Sequence, residues 1–190
     1  MTAREVFTRL TAALDQAGIA YMLSGSFASA YYGASRSTQD IDLVIETTAA
    51  KLEALVKSLP RDEYYVELSA ALEAQRTESL FNIIDLATGW KIDLIIRKAR
   101  TFSLEEFGRR RRVDVQGVPM FVASPEDLIL AKLEWAKLSQ SQRQLEDVAA
   151  ILRLRWESLD RSYLGKWITG LHLDSEWASV LKRTGLSNEL

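Results

Sequence analysis

Asp40 and Asp42 stand two positions apart in the run DIDLVIE (40–46), among residues otherwise suited to a core: Ile41, Leu43, Val44 and Ile45. In a strand, positions two apart share a face, so both carboxylates point one way while Ile41 and Leu43 point the other. Two carboxylates that close resist joint ionisation unless a cation sits beside them. Mg²⁺ or Mn²⁺ fits such a set, because hard divalent ions favour oxygen ligands and take the remainder from water and substrate phosphates. A third carboxylate would complete a two-metal site, in which ions about 3.5–4 Å apart hold the attacking and leaving oxygens. Asp93, between Ile92 and Leu94 in WKIDLII (90–96), repeats the polar-between-apolar pattern and supplies one. Asp85 is its rival: a turn at 87–89 pairs it near Lys91, on the same face as Asp93, where it could stand behind the ligands.

Ahead of the aspartates lies a Gly-Ser step. Gly25 permits close backbone approach after a strand, and Ser26 at a helix start offers a hydroxyl and free backbone N–H groups, which suit an anion. Arg36, just before the aspartates, could contact a phosphate through charge-assisted bonds.

These residues need elements to hold them. Thr2 and Glu5 have capping-box spacing, and Val6, Phe7, Leu10 and Leu14 recur at helical intervals before Gly18, which predicts a helix over 3–17. IAYMLSG (19–25) reads as a buried strand, Ser26–Tyr32 as a short helix closed by Gly33, and 40–46 as the second strand. Thr48 opens a helix that Pro60 stops. EYYVELS suggests an edge strand and SAALEAQRT a short helix. FNIIDL and WKIDLII, separated by ATG, form the clearest hairpin. Ser103 and Glu106 again fit a capping box, for a helix running into the four arginines 109–112, and RVDV and PMFVA flank Gln116-Gly117 as a smaller hairpin. Beyond that the pattern is helical, with Ser124 as cap before Pro125 and further caps expected at Ser141 and Asp174. The expected organisation is an α/β domain over 1–122 and a helical region over 123–190 packed on it.

The 190 residues are 47% hydrophobic and 26% charged with a net charge of -2, the balance of an ordinary globular protein. No cysteine is present, which excludes disulfides, thiolate metal sites and thiol nucleophiles. No apolar run approaches the roughly 20 residues of a membrane helix, and MTAREVFTRL carries Arg4 and Glu5 where a signal peptide is apolar. A cytoplasmic protein with no membrane partner is expected. Residues 1–96 hold 8 Lys/Arg against 13 Asp/Glu and residues 97–190 hold 16 against 13. An acidic half beside a mildly basic one suits a metal next to an anionic substrate.

Gly25-Ser26, the spacer with Gly33 and Arg36, Asp40-Ile41-Asp42 on a strand and Asp93 on a later strand together resemble the polymerase-beta-type nucleotidyltransferase superfamily. Within it, SPEDLILAKL (124–133) and RQLEDVAAIL (143–152) resemble phrases of the small bacterial group related to abortive-infection nucleotidyltransferase toxins. The resemblance spans about residues 20–152. It implies an α+β fold with a mixed sheet flanked by helices and followed by a C-terminal helical region, two Mg²⁺ ions, and transfer of a nucleoside monophosphate from a nucleoside triphosphate to an RNA, protein or small-molecule acceptor. By the same resemblance Ser26 holds the triphosphate, Asp40 and Asp42 the metals, Asp93 a metal and the nucleophile, and Lys132 touches phosphate. A role in a toxin–antitoxin or phage-defence pair, with a cognate partner chain, belongs to that expectation. So does the alternative of a turnover-deficient member that binds nucleotide or partner as an antitoxin-like regulator.

Plainer readings compete. Asp93 could simply pair with Lys91 or Arg97, and Lys132 could be a surface lysine beside inward-facing Leu128, Leu130 and Leu133. The four arginines could be a solvated helix end that complements the dipole rather than an RNA contact. Trp135, Trp156, Trp167 and Trp177 fit cores or interfaces, and His172 receives no role.

Overall fold

The computed structural model describes residues 2–34 and 37–187. Along the chain run α1 (Ala3–Gln16), β1 (Ala20–Leu23), α2 (Gly25–Tyr31), β2 (Asp40–Glu46), α3 (Ala49–Ser58), β3 (Tyr64–Tyr65), α4 (Leu68–Thr77), β4 (Leu80–Asp85) and β5 (Lys91–Ile96). There follow α5 (Thr101–Gly108), β6 (Arg111–Val115), β7 (Val118–Val122), α6 (Pro125–Ser139), α7 (Gln142–Arg155), α8 (Arg161–Gly170) and α9 (Asp174–Thr184). They divide into two compact units: Met1–Phe27 with Ser37–Ala123, and Ala28–Arg36 with Ser124–Leu190.

The first unit is built on a mixed sheet of order β3-β4-β5-β2-β1-β7-β6. The β2–β5 and β1–β7 pairs are parallel and the others antiparallel. Period-two alternation gives the sheet two unlike faces. Ile41, Leu43 and Ile45 of β2, Ile92, Leu94 and Ile96 of β5, and Phe81 and Ile83 of β4 are all buried on one face. α4 packs on β4 and β5, α3 on α4, and α1 on α3, β1 and β7. The opposite face of β2 and β5 carries Asp40, Asp42, Lys91 and Asp93, none of them fully buried. A pair of charged residues on each of these two core strands is tolerated because the pleat sends all four to this second face.

Caps set the helix ends. Thr2 and Glu5 close a capping box on α1, and Thr48 caps α3 through the Lys51 amide. Ser124 accepts from the Asp127 amide with Pro125 at the first position of α6. The box expected at Ser103 and Glu106 is absent: α5 starts at Thr101, and both side chains are buried within it. α5 also stops at Gly108, so the arginines do not extend a helix. Arg111 and Arg112 enter edge strand β6, while Arg110 lies over Phe107 at 4.2 Å and Phe121 at 5.1 Å. Gln116 and Gly117, at φ 53° and 83°, make the tight two-residue turn to β7.

In the second unit α6 packs on α7, α8 and α9, and α7 on α9. Trp156, Trp167 and Trp177 are buried there and Trp135 is exposed; Trp156 stacks on Trp177 with centroids 6.2 Å apart. Among the described residues no helix is long and apolar enough to cross a membrane.

Candidate active site

β2 and β5 run parallel in a register that sets Asp42 beside Asp93 and Asp40 beside Lys91. The three aspartates named from the sequence therefore occupy one face of two neighbouring strands. Asp40 is exposed and Asp42 and Asp93 are half-buried.

Gly25 is tied to this row. The Ser24 amide donates to the Asp42 carbonyl at 2.9 Å, which locks the end of β1 onto β2. Gly25 follows with φ 59°, in the left-handed region. A Cβ there would lie 1.8 Å from Asp42 Oδ2 and 2.5 Å from its Cγ. Only glycine satisfies both the backbone angle and the closeness of the carboxylate. Ser26 comes next, in the first turn of α2, and is 4% exposed. Arg36 lies outside the described residues.

Asp93 is held from two sides. Lys91 Nζ donates to Oδ2 at 2.9 Å, and Asn82 Nδ2 donates to Oδ1 in a short bond. Asn82 is the register partner of Asp93 on β4, so β4, β5 and β2 present Asn82, Asp93 and Asp42 in one line. The Lys91 side chain, 44% exposed, has its pKa raised by the hydrogen bond to Asp93, against desolvation that lowers it, with further support from the charges of Asp93, Asp40 and Asp42. Its ammonium thus answers all three carboxylates. Neither Lys91 nor Asn82 stood among the candidate site residues, although the expected pairing of Asp93 with Lys91 named the contact.

Asp85 does not join them. Ile84, not Asp85, opposes Lys91, and the Asp85 amide donates to the Trp90 carbonyl at 2.9 Å, so the connection closes over 86–89, one residue longer on its N-terminal side than the expected 87–89. A one-residue slip moves every side chain to the other face. Asp85 accordingly enters the buried side, where its side chain is 1% exposed and pairs closely with Arg9 of α1. Its Oδ1 also accepts from the Ala87 and Thr88 amides at 3.1 Å, and Gly89 turns at φ 71°. An Asp heading a Thr-Gly loop and bonding its own turn is the signal that would have revealed this.

Lys132 sits in the second unit, 4% exposed, with Nζ 2.6 Å from Asp147 Oδ2 and 3.0 Å from Gln144 Oε1. Nearby on the same helix, Asp127 accepts from Ser124 at 2.5 Å and from Tyr163 at 2.6 Å. These bonds join α6 to α7 and α8.

The donor set of the first unit, carboxylate oxygens only, matches a hard divalent cation. Among the described residues no three acidic or imidazole side chains converge as a ready-made cage. With both Asp93 oxygens engaged, Lys91 supplies the local positive charge.

No family model matches the sequence, and no curated protein matches it. Solved structures do. The antibiotic-resistance factor ANT(2'')-Ia is similar over 94% of this chain and 95% of its own, at 16% identity and TM-score 0.58. An antigenic nucleotidyltransferase-like protein from Paracoccidioides brasiliensis is similar over 94% and 91%, at 18% and 0.54. The lincosamide antibiotic adenylyltransferase LnuA, lincomycin-bound, is similar over 80% and 96%, at 12% and 0.54. At such identities the likeness is one of fold, and the fold of this chain is of the nucleotidyltransferase type.

Proposed function

We propose that this chain is a metal-dependent nucleotidyltransferase moving a nucleoside monophosphate from a nucleoside triphosphate to an acceptor hydroxyl. The observation that carries the reading is the row Gly25, Asp42, Asp93, in which a glycine that cannot be replaced abuts one carboxylate and strand register aligns the next. Asp40, Asp42 and Asp93 are the proposed ligands of Mg²⁺ or Mn²⁺, with Gly25 and Ser26 toward the triphosphate and Arg36 a further phosphate contact. Bound there, the ion would neutralise charge developing on the phosphoryl oxygens and the leaving group.

The protein's own part is positioning and proton transfer. The acceptor oxygen attacks the α-phosphorus, a new O–P bond forms, the bond from α-phosphorus to the bridging oxygen breaks, and pyrophosphate leaves with that electron pair. Asp93 takes the hydroxyl proton. The buried face beneath, Ile41, Leu43, Ile92 and Leu94, keeps β2 and β5 in register while charge builds above it. The expectation that Lys132 touches phosphate is not carried into this reading, because Asp147 and Gln144 already engage its ammonium.

For the acceptor we favour a small polar molecule with a free hydroxyl. Two similar structures, an antibiotic-resistance factor and a lincosamide antibiotic adenylyltransferase with lincomycin bound, share the fold across 95% and 96% of their own chains, and that likeness supports a small acceptor. A second reading, an RNA or protein acceptor and a paired toxin or antitoxin chain, is supported by SPEDLILAKL and RQLEDVAAIL. The test is incorporation of α-labelled nucleotide into small-molecule, tRNA and protein acceptors by wild type and Asp40→Asn. We expect transfer to a small hydroxyl compound, reduced at least about 100-fold by the substitution. Transfer to RNA or protein alone would move the assignment to the second reading, and equal transfer by the variant would remove Asp40 from the chemistry.

A further inference from the structure

The transfer chemistry gives Lys91 nothing to do, yet its ammonium stands in the carboxylate row. It is the first residue of β5, opposite Asp40 in the parallel register, and it leans along its own strand to Asp93 Oδ2 at 2.9 Å. Asn82 engages the other oxygen of the same carboxylate. Of the two partners, Asn82 comes from within the sheet and is neutral, whereas Lys91 is 44% exposed on a flexible stem and is charged. A dication approaching Asp93 must therefore displace or tolerate a monocation already bonded to it.

We propose that Lys91 is a resident counter-cation that masks Asp93 in the resting protein and weakens its affinity for divalent metal. Resting on the assignment of Asp40, Asp42 and Asp93 as metal carboxylates, this makes Lys91 a positioning residue that guards the site against loading ahead of substrate. The like-charge conflict is local: Asp40, Asp42 and Asp93 attract the metal and Lys91 opposes it within the same row.

The test is titration of Mn²⁺ alone, read by the electron paramagnetic resonance of the free ion, on the full chain without nucleotide. Lys91→Met should bind Mn²⁺ about 10-fold more tightly than wild type, roughly 1.4 kcal/mol. Lys91→Arg, which keeps the charge, should stay near wild type, a contrast that a merely structural lysine would not produce. Should Lys91→Met lose stability, the rise in melting temperature on adding Mn²⁺ gives the second readout, and it should be larger in that variant than in wild type. Equal or weaker Mn²⁺ affinity in Lys91→Met, with wild type binding and Asp40→Asn/Asp42→Asn not binding, overturns the masking role alone. Absence of Mn²⁺ binding in wild type and Lys91→Met alike overturns it together with the metal assignment.

Discussion

Gly25 carries two constraints at one position. Its left-handed backbone costs an L-residue about 1–2 kcal/mol, and a Cβ would overlap the Asp42 carboxylate. Gly25→Ala is therefore expected to lose at least about 1 kcal/mol of stability in urea denaturation. It should also lose nucleotide binding well below the denaturation midpoint, since Asp42 has to move to admit the methyl group. Retention of nucleotide affinity by a folded Gly25→Ala protein would separate the glycine from the site. Asp85 makes the opposite case: a carboxylate resembling Asp93 in sequence whose bonds are to Arg9 and its own turn. Asp85→Asn should cost about 2–3 kcal/mol, below the value for a fully buried pair because Arg9 is 33% exposed. Transfer per folded molecule should be unchanged; loss of transfer with stability intact would return Asp85 to the chemistry.

At the scale of elements, strands and their order of faces were legible and loop lengths were not. Alternation in DIDLVIE and WKIDLII already put Asp40, Asp42 and Asp93 on polar faces, and caps at Thr2, Thr48 and Ser124 fixed three helix starts. The β4–β5 connection takes in one more residue on its N-terminal side than its Ala-Thr-Gly core suggests, because Asp85 closes the turn through its side chain, and that one-residue slip turns Asp85 to the buried face and brings Asn82 opposite Asp93. The capping-box spacing of Ser103 and Glu106 points to a helix running into the arginines 109–112, but Gly108 ends α5 and the pairing of β6 with β7 takes Arg111 and Arg112 into a strand. Lys132 shows what no spacing reveals: its partner Asp147 is on another helix. With both side chains under 10% exposed, Lys132→Met should cost about 3–5 kcal/mol by stranding Asp147. The double variant Lys132→Met/Asp147→Leu should recover most of that loss and bind nucleotide as wild type does. A stable double variant that no longer binds nucleotide would restore Lys132 as a phosphate contact.

For the whole molecule, a mixed sheet segregates its functions by face. One face, covered by α1, α3 and α4, supplies the burial that fixes strand register; the other spends that rigidity on holding like charges in line. The proposed role of these charges is to bind a metal–nucleotide complex. Isothermal titration of each nucleoside triphosphate, with and without Mg²⁺, on wild type and on Asp40→Asn/Asp42→Asn tests it. Wild type should bind only when Mg²⁺ is present, and the double variant should not bind. Binding that ignores Mg²⁺, or that persists in the variant, would contradict it.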